Sequence, residues 1–182
     1  MNQFLILDRD QVLNHMPIGQ KYITSPNGIR LIKKNVQGLK KLSSNNLKII
    51  VATNQRCIGL GIISISELNS IHFELSTQLL KNGVKILEFF YCPHTILDAC
   101  NCRKPQPGLL EAASKKYNFK LKDSIFIGDA ESDCYAGIKA GSKVIHLTDK
   151  KTDEEIKSNN NYLGSFSDID AAKETIDKFY LG

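Results

Sequence analysis

The chain has 182 residues, 42% of them hydrophobic and 24% charged, with a formal charge of +5. That length suits one domain over residues 1–182 with a core of its own, and the composition excludes the disordered and collagen-like classes. Lysines run along the whole chain without an aromatic-laced basic stripe, and no apolar run matches a signal peptide or a membrane span. The expectation is a cytoplasmic monomer that binds neither nucleic acid nor membrane.

Phe4-Leu5-Ile6-Leu7 is a continuous apolar run and predicts a strand buried on both faces. It delivers Asp8 and Asp10 to its C-terminal end, the edge at which open α/β sheets bind ligands. Two acids there are costly to bury unless a metal, a proton or a substrate offsets their charge. His15 to Gly28, punctuated by Pro17, Gly19 and Pro26, reads as a loop able to fold over that crevice. Val36, Leu39 and Leu42 predict a helix from about Lys33 to Ser44, ended by Asn45-Asn46. Leu47 to Ala52 predicts a second strand, followed by Thr53-Asn54-Gln55.

Cys57 to Ile63 reads as a loop. Ser64 with Glu67 forms a capping-box pattern ahead of a helix whose apolar face carries Leu68, Ile71, Leu75 and Leu79, closed by Gly83. Ile86 to Tyr91 predicts a third strand. Pro107 suits the first turn of a helix carrying Leu109, Leu110 and Ala113. Ser124 to Gly128, ended by Asp129, and Lys143 to Leu147 complete five strands, with a short helix closed by Gly141 between them. Asp149 to Asn161 reads as charged and exposed, and Ser167 with Asp170 as the cap of a last helix reaching Phe179. Strict alternation of strands and helices predicts an α/β fold, a Rossmann-like parallel sheet sandwiched by helices. No segment between the strands is long enough for a separate cap domain.

Parallel strands bring their polar ends to one edge, which gathers Asp8, Asp10, Thr53, Asn54, Arg103, Lys104 and Asp129. Three carboxylates with a hydroxyl, an ammonium and a guanidinium suit a divalent cation and a phosphate held together. Asp8 and Asp129 offer hard oxygens to Mg²⁺. Thr53, Arg103 and Lys104 offer donors and positive charge to phosphate oxygens. Asp133 has two readings, as a group that orients Lys104 or the metal's outer shell, and as a first-turn helix acid. Separately, Cys92, His94, Cys100 and Cys102 place four soft ligands within eleven residues, a pattern for a closed structural Zn²⁺ site that stiffens the loop bearing Arg103 and Lys104.

The four segments DRDQV, TN, RKP and GDAESD, in that order, resemble the four motifs of the haloacid dehalogenase (HAD) superfamily of phosphatases. The zinc loop, CPH followed by CxCRKP, is similar to the branch of heptose-bisphosphate 7-phosphatases and histidinol-phosphate phosphatases. KPQPGLL and TNQ with its IGLG segment resemble the heptose side of that branch. The resemblance implies that Asp8 is the nucleophile and forms an aspartyl-phosphate, and that Asp10 is the general acid and base. It implies that Thr53, Lys104 and Arg103 hold the transferring phosphoryl group, and that Asp8, the Asp10 backbone carbonyl and Asp129 bind Mg²⁺. His15, Met16 and Gly19, together with Thr53, Asn54, Gln55, Arg56, Arg103 and Lys104, are then the substrate-binding set. The implied substrate is a small phosphorylated metabolite, first of all the 7-phosphate of D-glycero-D-manno-heptose 1,7-bisphosphate, a cell-envelope precursor. Two positions depart from the pattern. Gln11 stands where the family usually has Gly, and Ala130 where heptose phosphatases often have Lys.

Three other readings compete. Histidinol-phosphate hydrolysis uses the same scaffold and zinc spacing. A phospho-acceptor signalling domain also sets acids, a Thr and a Lys on a parallel sheet, but in a different chain order, and Asp10 is a hydrolytic base that a long-lived phosphate store avoids. A zinc-stabilised nucleic-acid module lacks its basic stripe here.

Overall fold

The computed structural model describes residues 3–43 and 47–181. Six parallel strands form one sheet in the order β3-β2-β1-β4-β5-β6. They are β1 (Gln3–Leu7), β2 (Leu47–Asn54), β3 (Ile86–Cys92), β4 (Ser124–Gly128), β5 (Lys143–Leu147) and β6 (Tyr162–Phe166). The helices are α1 (Lys33–Ser43), α2 (Arg56–Gly59), α3 (Ile65–Lys81), α4 (Gly108–Tyr117), α5 (Glu131–Ala140), α6 (Glu154–Lys157) and α7 (Ile169–Leu181). The expected α/β, Rossmann-like parallel sheet with flanking helices is what the chain forms. β1 lies centrally because its residues Phe4 to Leu7 are buried on both faces. From β1 the chain winds outward to β2 and β3, then returns to lay β4 on the other side. The strand order therefore reverses beside β1, and a crevice opens there beyond the strand ends.

Two apolar layers cover the sheet. On one face, Leu39 and Leu42 of α1, Leu68, Ile71, Leu75 and Leu79 of α3, and Ile169, Ala172 and Ile176 of α7 pack on Leu5, Leu7, Ile49 and Val51. On the other, Leu109 and Leu110 of α4 and Cys134 and Ala136 of α5 pack on Ile6, Ala52 and Phe126. The alternating side chains of β1 thus feed both layers.

Several expected boundaries shift. The sheet has a sixth strand, β6, which the charged reading of the segment before it left unassigned. α6 falls inside that segment, with Ile156 buried. The Cys57 to Ile63 loop begins with the short helix α2, whose only buried residue is Cys57. Pro107 is the N-cap of α4 rather than a residue of its first turn. The last helix is capped by Asp168, whose Oδ1 accepts the Ala171 N–H at 2.8 Å, while Ser167 donates to Asp168 Oδ2. A carboxylate is the stronger acceptor for the free N–H groups of a first turn, which explains why Asp168 displaces Ser167. The capping box at Ser64 and Glu67 forms as expected, with both bonds present. The Asn45-Asn46 stop of α1 lies outside the described residues. Among the described residues no helix is long and apolar enough to cross a membrane.

Candidate active site

β2, β1 and β4 are neighbours, so Thr53, Asp8 and Asp129 emerge side by side at the C-terminal edge. Lys104 reaches the same place from the loop after β3. Its Nζ donates to Asp8 Oδ1 at 2.7 Å and to the Ala52 carbonyl at 2.9 Å, and pairs with Asp133 Oδ1 at 2.6 Å. All three ammonium protons are therefore satisfied in a residue only 4% exposed. Burial pulls the Lys104 pKa down, but the Asp133 and Asp8 carboxylates outweigh it and hold the group above the ordinary lysine range. Asn54 fixes the backbone that carries Lys104. Its amide nitrogen donates to the Lys104 carbonyl and its oxygen accepts the Lys104 N–H, each at 3.1 Å.

Asp8, Asp129 and Asp133 bring one carboxylate oxygen each within 4.8 Å of one another. Burial pushes the Asp8 carboxyl up to about 6, with Lys104 pulling against it. Asp129 rises to about 7 through burial and the neighbouring Asp8 and Asp133 charges. Lys104 is one positive charge among three acids. The donor set fits a small divalent cation: hard oxygens, and a carboxyl at Asp129 whose ionisation is unfavourable until more positive charge arrives. Asp133 unites the two readings of its sequence position. Besides pairing with Lys104, its Oδ2 accepts the Ala130 N–H at 3.1 Å at the start of α5. Gly128 permits this, because a Cβ there would overlap the Asp133 side chain. The Asp129 backbone is held from behind by His146, whose Nε2 lies 3.0 Å from the Asp129 carbonyl. A carbonyl only accepts, so Nε2 carries a proton, and Nδ1 lies 2.9 Å from Thr152 Oγ1.

Asp10 points elsewhere. Arg9, 1% exposed, donates to it through Nε at 3.0 Å and through Nη2 to both oxygens at 2.9 and 2.7 Å. Asn14 Nδ2 adds a bond to Oδ1 at 3.0 Å and Gln55 Nε2 one to Oδ2 at 3.2 Å. Gln55 also donates to Thr53 Oγ1 at 3.0 Å, joining the Asp10 group to Thr53. The Asp10 carboxylate is therefore not part of the three-acid cluster.

The remaining sequence candidates lie on the loop after β1, at the start of α2 and on the loop between β3 and α4. His15, Met16 and Gly19 sit on the loop after β1. His15 and Gly19 are exposed, and Met16 is half-buried with its N–H donating to Gln11 Oε1 at 2.9 Å. Gln11 adopts a left-handed φ of 61°, a conformation favouring glycine. Arg56 clasps this loop through two bonds to the Tyr22 hydroxyl at 3.0 and 2.8 Å. Arg103 is half-buried and donates to the His94 carbonyl at 3.5 Å. Sequence reasoning passed over Arg9, His72 and His146. Their neighbours in the chain are apolar or acidic, and no spacing signals that they meet the site.

Cys92, His94, Cys100 and Cys102 converge on the loop between β3 and α4. Their ligand atoms all lie within 4.8 Å of one another, and five of the six pairs are 3.2 to 3.6 Å apart, from 3.2 Å between His94 Nδ1 and Cys102 Sγ to 3.6 Å between Cys92 Sγ and Cys100 Sγ. That is far beyond a disulfide, about 2.05 Å, and close to the ~3.8 Å edge of a tetrahedron with 2.3 Å Zn–S bonds. The set fits zinc, with all four positions filled by protein. Gly59 of α2 lies against this loop, its N–H donating to the Pro93 carbonyl at 2.9 Å.

The chain is 36% identical over 167 residues to a D-glycero-alpha-D-manno-heptose-1,7-bisphosphate 7-phosphatase of Photorhabdus laumondii, covering 85% of this chain and 90% of that one. The chain belongs to the HAD family of phosphatases. A HAD-hydrolase-like family model matches residues 101–172. Another HAD relative, the D-glycero-beta-D-manno-heptose-1,7-bisphosphate 7-phosphatase of Pseudomonas putida, is 32% identical over 143 residues, 79% of this chain and 81% of that one. Among solved HAD structures, the D,D-heptose 1,7-bisphosphate phosphatase of Bordetella bronchiseptica, complexed with magnesium and phosphate, superposes with a TM-score of 0.83. It shares 26% identity and covers 97% of this chain and 98% of that one.

Proposed function

We propose that this HAD phosphatase removes the 7-phosphate of D-glycero-D-manno-heptose 1,7-bisphosphate through an aspartyl-phosphate on Asp8. The observation that carries the reading is the Lys104 ammonium bridging Asp8 and Asp133 beside Asp129, at the crevice where the strand order reverses. The names of the relatives support the substrate. An Asp8 oxygen attacks phosphorus as the bond to the sugar oxygen breaks, and Asp10 gives its proton to that leaving oxygen. Asp10 then takes a proton from water, whose oxygen attacks phosphorus and releases Asp8. Lys104, Thr53 and Arg103 hold the phosphoryl oxygens, where positioning and charge neutralisation supply most of the catalysis. Mg²⁺, bound by Asp8, Asp129 and the Asp10 backbone carbonyl, would neutralise charge on the phosphoryl group. The loop bearing His15, Met16 and Gly19, with Asn54, Gln55 and Arg56, forms the wall on the sugar side. Zn²⁺ on Cys92, His94, Cys100 and Cys102 is structural and fixes the segment that presents Lys104.

Relatives named for the α and for the β anomer are both close, so both belong in the test. Phosphate release with Mg²⁺ is measured from each anomer, from fructose bisphosphate and from histidinol phosphate. The reading expects the highest kcat/KM on a heptose bisphosphate. Turnover of histidinol phosphate alone would overturn it, and a stable acyl-phosphate without release would indicate a phospho-acceptor.

A further inference from the structure

A guanidinium buried beside a reacting carboxylate needs a partner for every N–H that does not face the carboxylate. Arg9 turns Nε and Nη2 toward Asp10, and its Nη1 lies 3.2 Å from Nε2 of His72 on α3. A guanidinium has no acceptor, so the direction of this bond is fixed: Arg9 donates and His72 Nε2 carries no proton. The imidazole stacks on Phe89 of β3, ring centroids 4.3 Å apart and planes 12° apart, which sets its tilt. His72 is 6% exposed, and burial with the Arg9 charge holds its pKa down to about 3.

We infer that His72 is a positioning residue for the reaction, acting through Arg9 to aim the Asp10 carboxyl. The inference rests on the reading of Asp10 as the general acid and base. Asp10 has to deliver a proton to the leaving oxygen and later remove one from water, and both steps require its carboxyl to sit in a narrow range of angles. The five hydrogen bonds that set that angle come from Arg9, Asn14 and Gln55, all at the same loop-and-strand edge. Among the described residues, the hydrogen bond to His72 ties Arg9 to α3, a long helix packed in the core. Without an acceptor at position 72, Nη1 has to seek another partner and the guanidinium turns, carrying Asp10 with it.

The test compares the wild type with His72→Phe, which keeps the stacking face and removes the acceptor, and His72→Gln, which restores an acceptor. Each is also made in an Asp10→Asn background. The inference expects His72→Phe to lower kcat about 10- to 100-fold with KM little changed, and His72→Gln to recover most of the loss. In Asp10→Asn the same substitution should add no further loss, since its route runs through the missing carboxyl. Additive losses, or a His72→Phe kcat equal to wild type while Asp10→Asn is impaired, overturn the inference alone. An Asp10→Asn enzyme with wild-type kcat overturns the reading beneath it. Independently of any substrate, ¹⁵N NMR of the folded wild type should show a neutral His72 ring with the proton on Nδ1; a proton on Nε2 would contradict the geometry.

Discussion

Lys104 is the residue on which the site turns, because its ammonium is the positive group held between Asp8 and Asp133. The arrangement gives the acids a clear pH signature. Asp8 and Asp129 have pKa values raised to about 6 and about 7. A raised carboxyl pKa means the folded protein holds protons that the unfolded chain releases. Their contribution to stability is therefore complete below the unfolded value, about 3.9, and is lost as pH rises through 6 and then 7. Without added Mg²⁺, thermal denaturation should show Tm falling across that window, and Asp129→Asn should flatten the fall. Mg²⁺ should raise Tm more on the alkaline side of the window than on the acid side, because only ionised carboxylates bind it. Asp8→Asn should lower kcat by more than about 10³-fold while far-UV circular dichroism stays unchanged, since an amide oxygen still accepts from Lys104. Asp8, Thr53 and Asp129 were legible in the sequence because each follows or ends an apolar strand, and Lys104 because it stands in the RKP segment after the clustered cysteines. Arg9 and His72 were not. A charged residue between two acids and a histidine on an apolar helix face look like solvent and core, and only side-chain direction reveals that they meet.

At the scale of elements, two features make the site possible. The first is the β4–α5 junction, where Gly128 leaves room for Asp133 to reach both Lys104 and the start of α5. Gly128→Ala should cost about 1–3 kcal/mol by overpacking, read as a lower midpoint in urea, and should depress kcat because Asp133 moves with it. The second is the loop on which Cys92, His94, Cys100 and Cys102 converge, which leads through Arg103 into Lys104. Elemental analysis should find one zinc per chain, and Cys92→Ser should lose it together with Tm and activity. The strands were readable from apolar runs except β6. Tyr162–Phe166 contains Gly164 and Ser165 and is only half-buried at the sheet edge, so its pattern is weak. Its Ser165 hydroxyl bonds Thr152 at 2.7 Å, which extends the support of the Asp129 backbone through His146. The cap of α7 was misplaced by one residue: Ser167 and Asp168 are both cap formers, and the stronger acceptor, the Asp168 carboxylate, takes the Ala171 N–H.

For the molecule as a whole, alternation of strand and helix predicted the parallel sheet, and that sheet brings Asp8 and Asp129 to one edge with Lys104, while the Asp10 and Arg103 side chains turn to Arg9 and the His94 carbonyl. Its order, with the reversal beside β1, was not readable, because nothing in an apolar run says on which side of β1 the next strand will lie. The loop after β1 was legible only as punctuation: the Arg56–Tyr22 clasp joins residues 34 positions apart with no pattern between them. The central claim is that side chains from Asp8 to Asp133 meet around one phosphoryl group that passes through Asp8. It is tested most directly by trapping that group. Asp10→Asn enzyme, slowed in the hydrolytic half, is mixed with heptose bisphosphate and Mg²⁺, quenched in acid, digested and mapped by mass spectrometry. The account predicts a phosphoryl group on the Asp8 side chain and none in Asp8→Asn. A phosphoryl group on another residue, or phosphate release at the wild-type rate by Asp8→Asn, would contradict it.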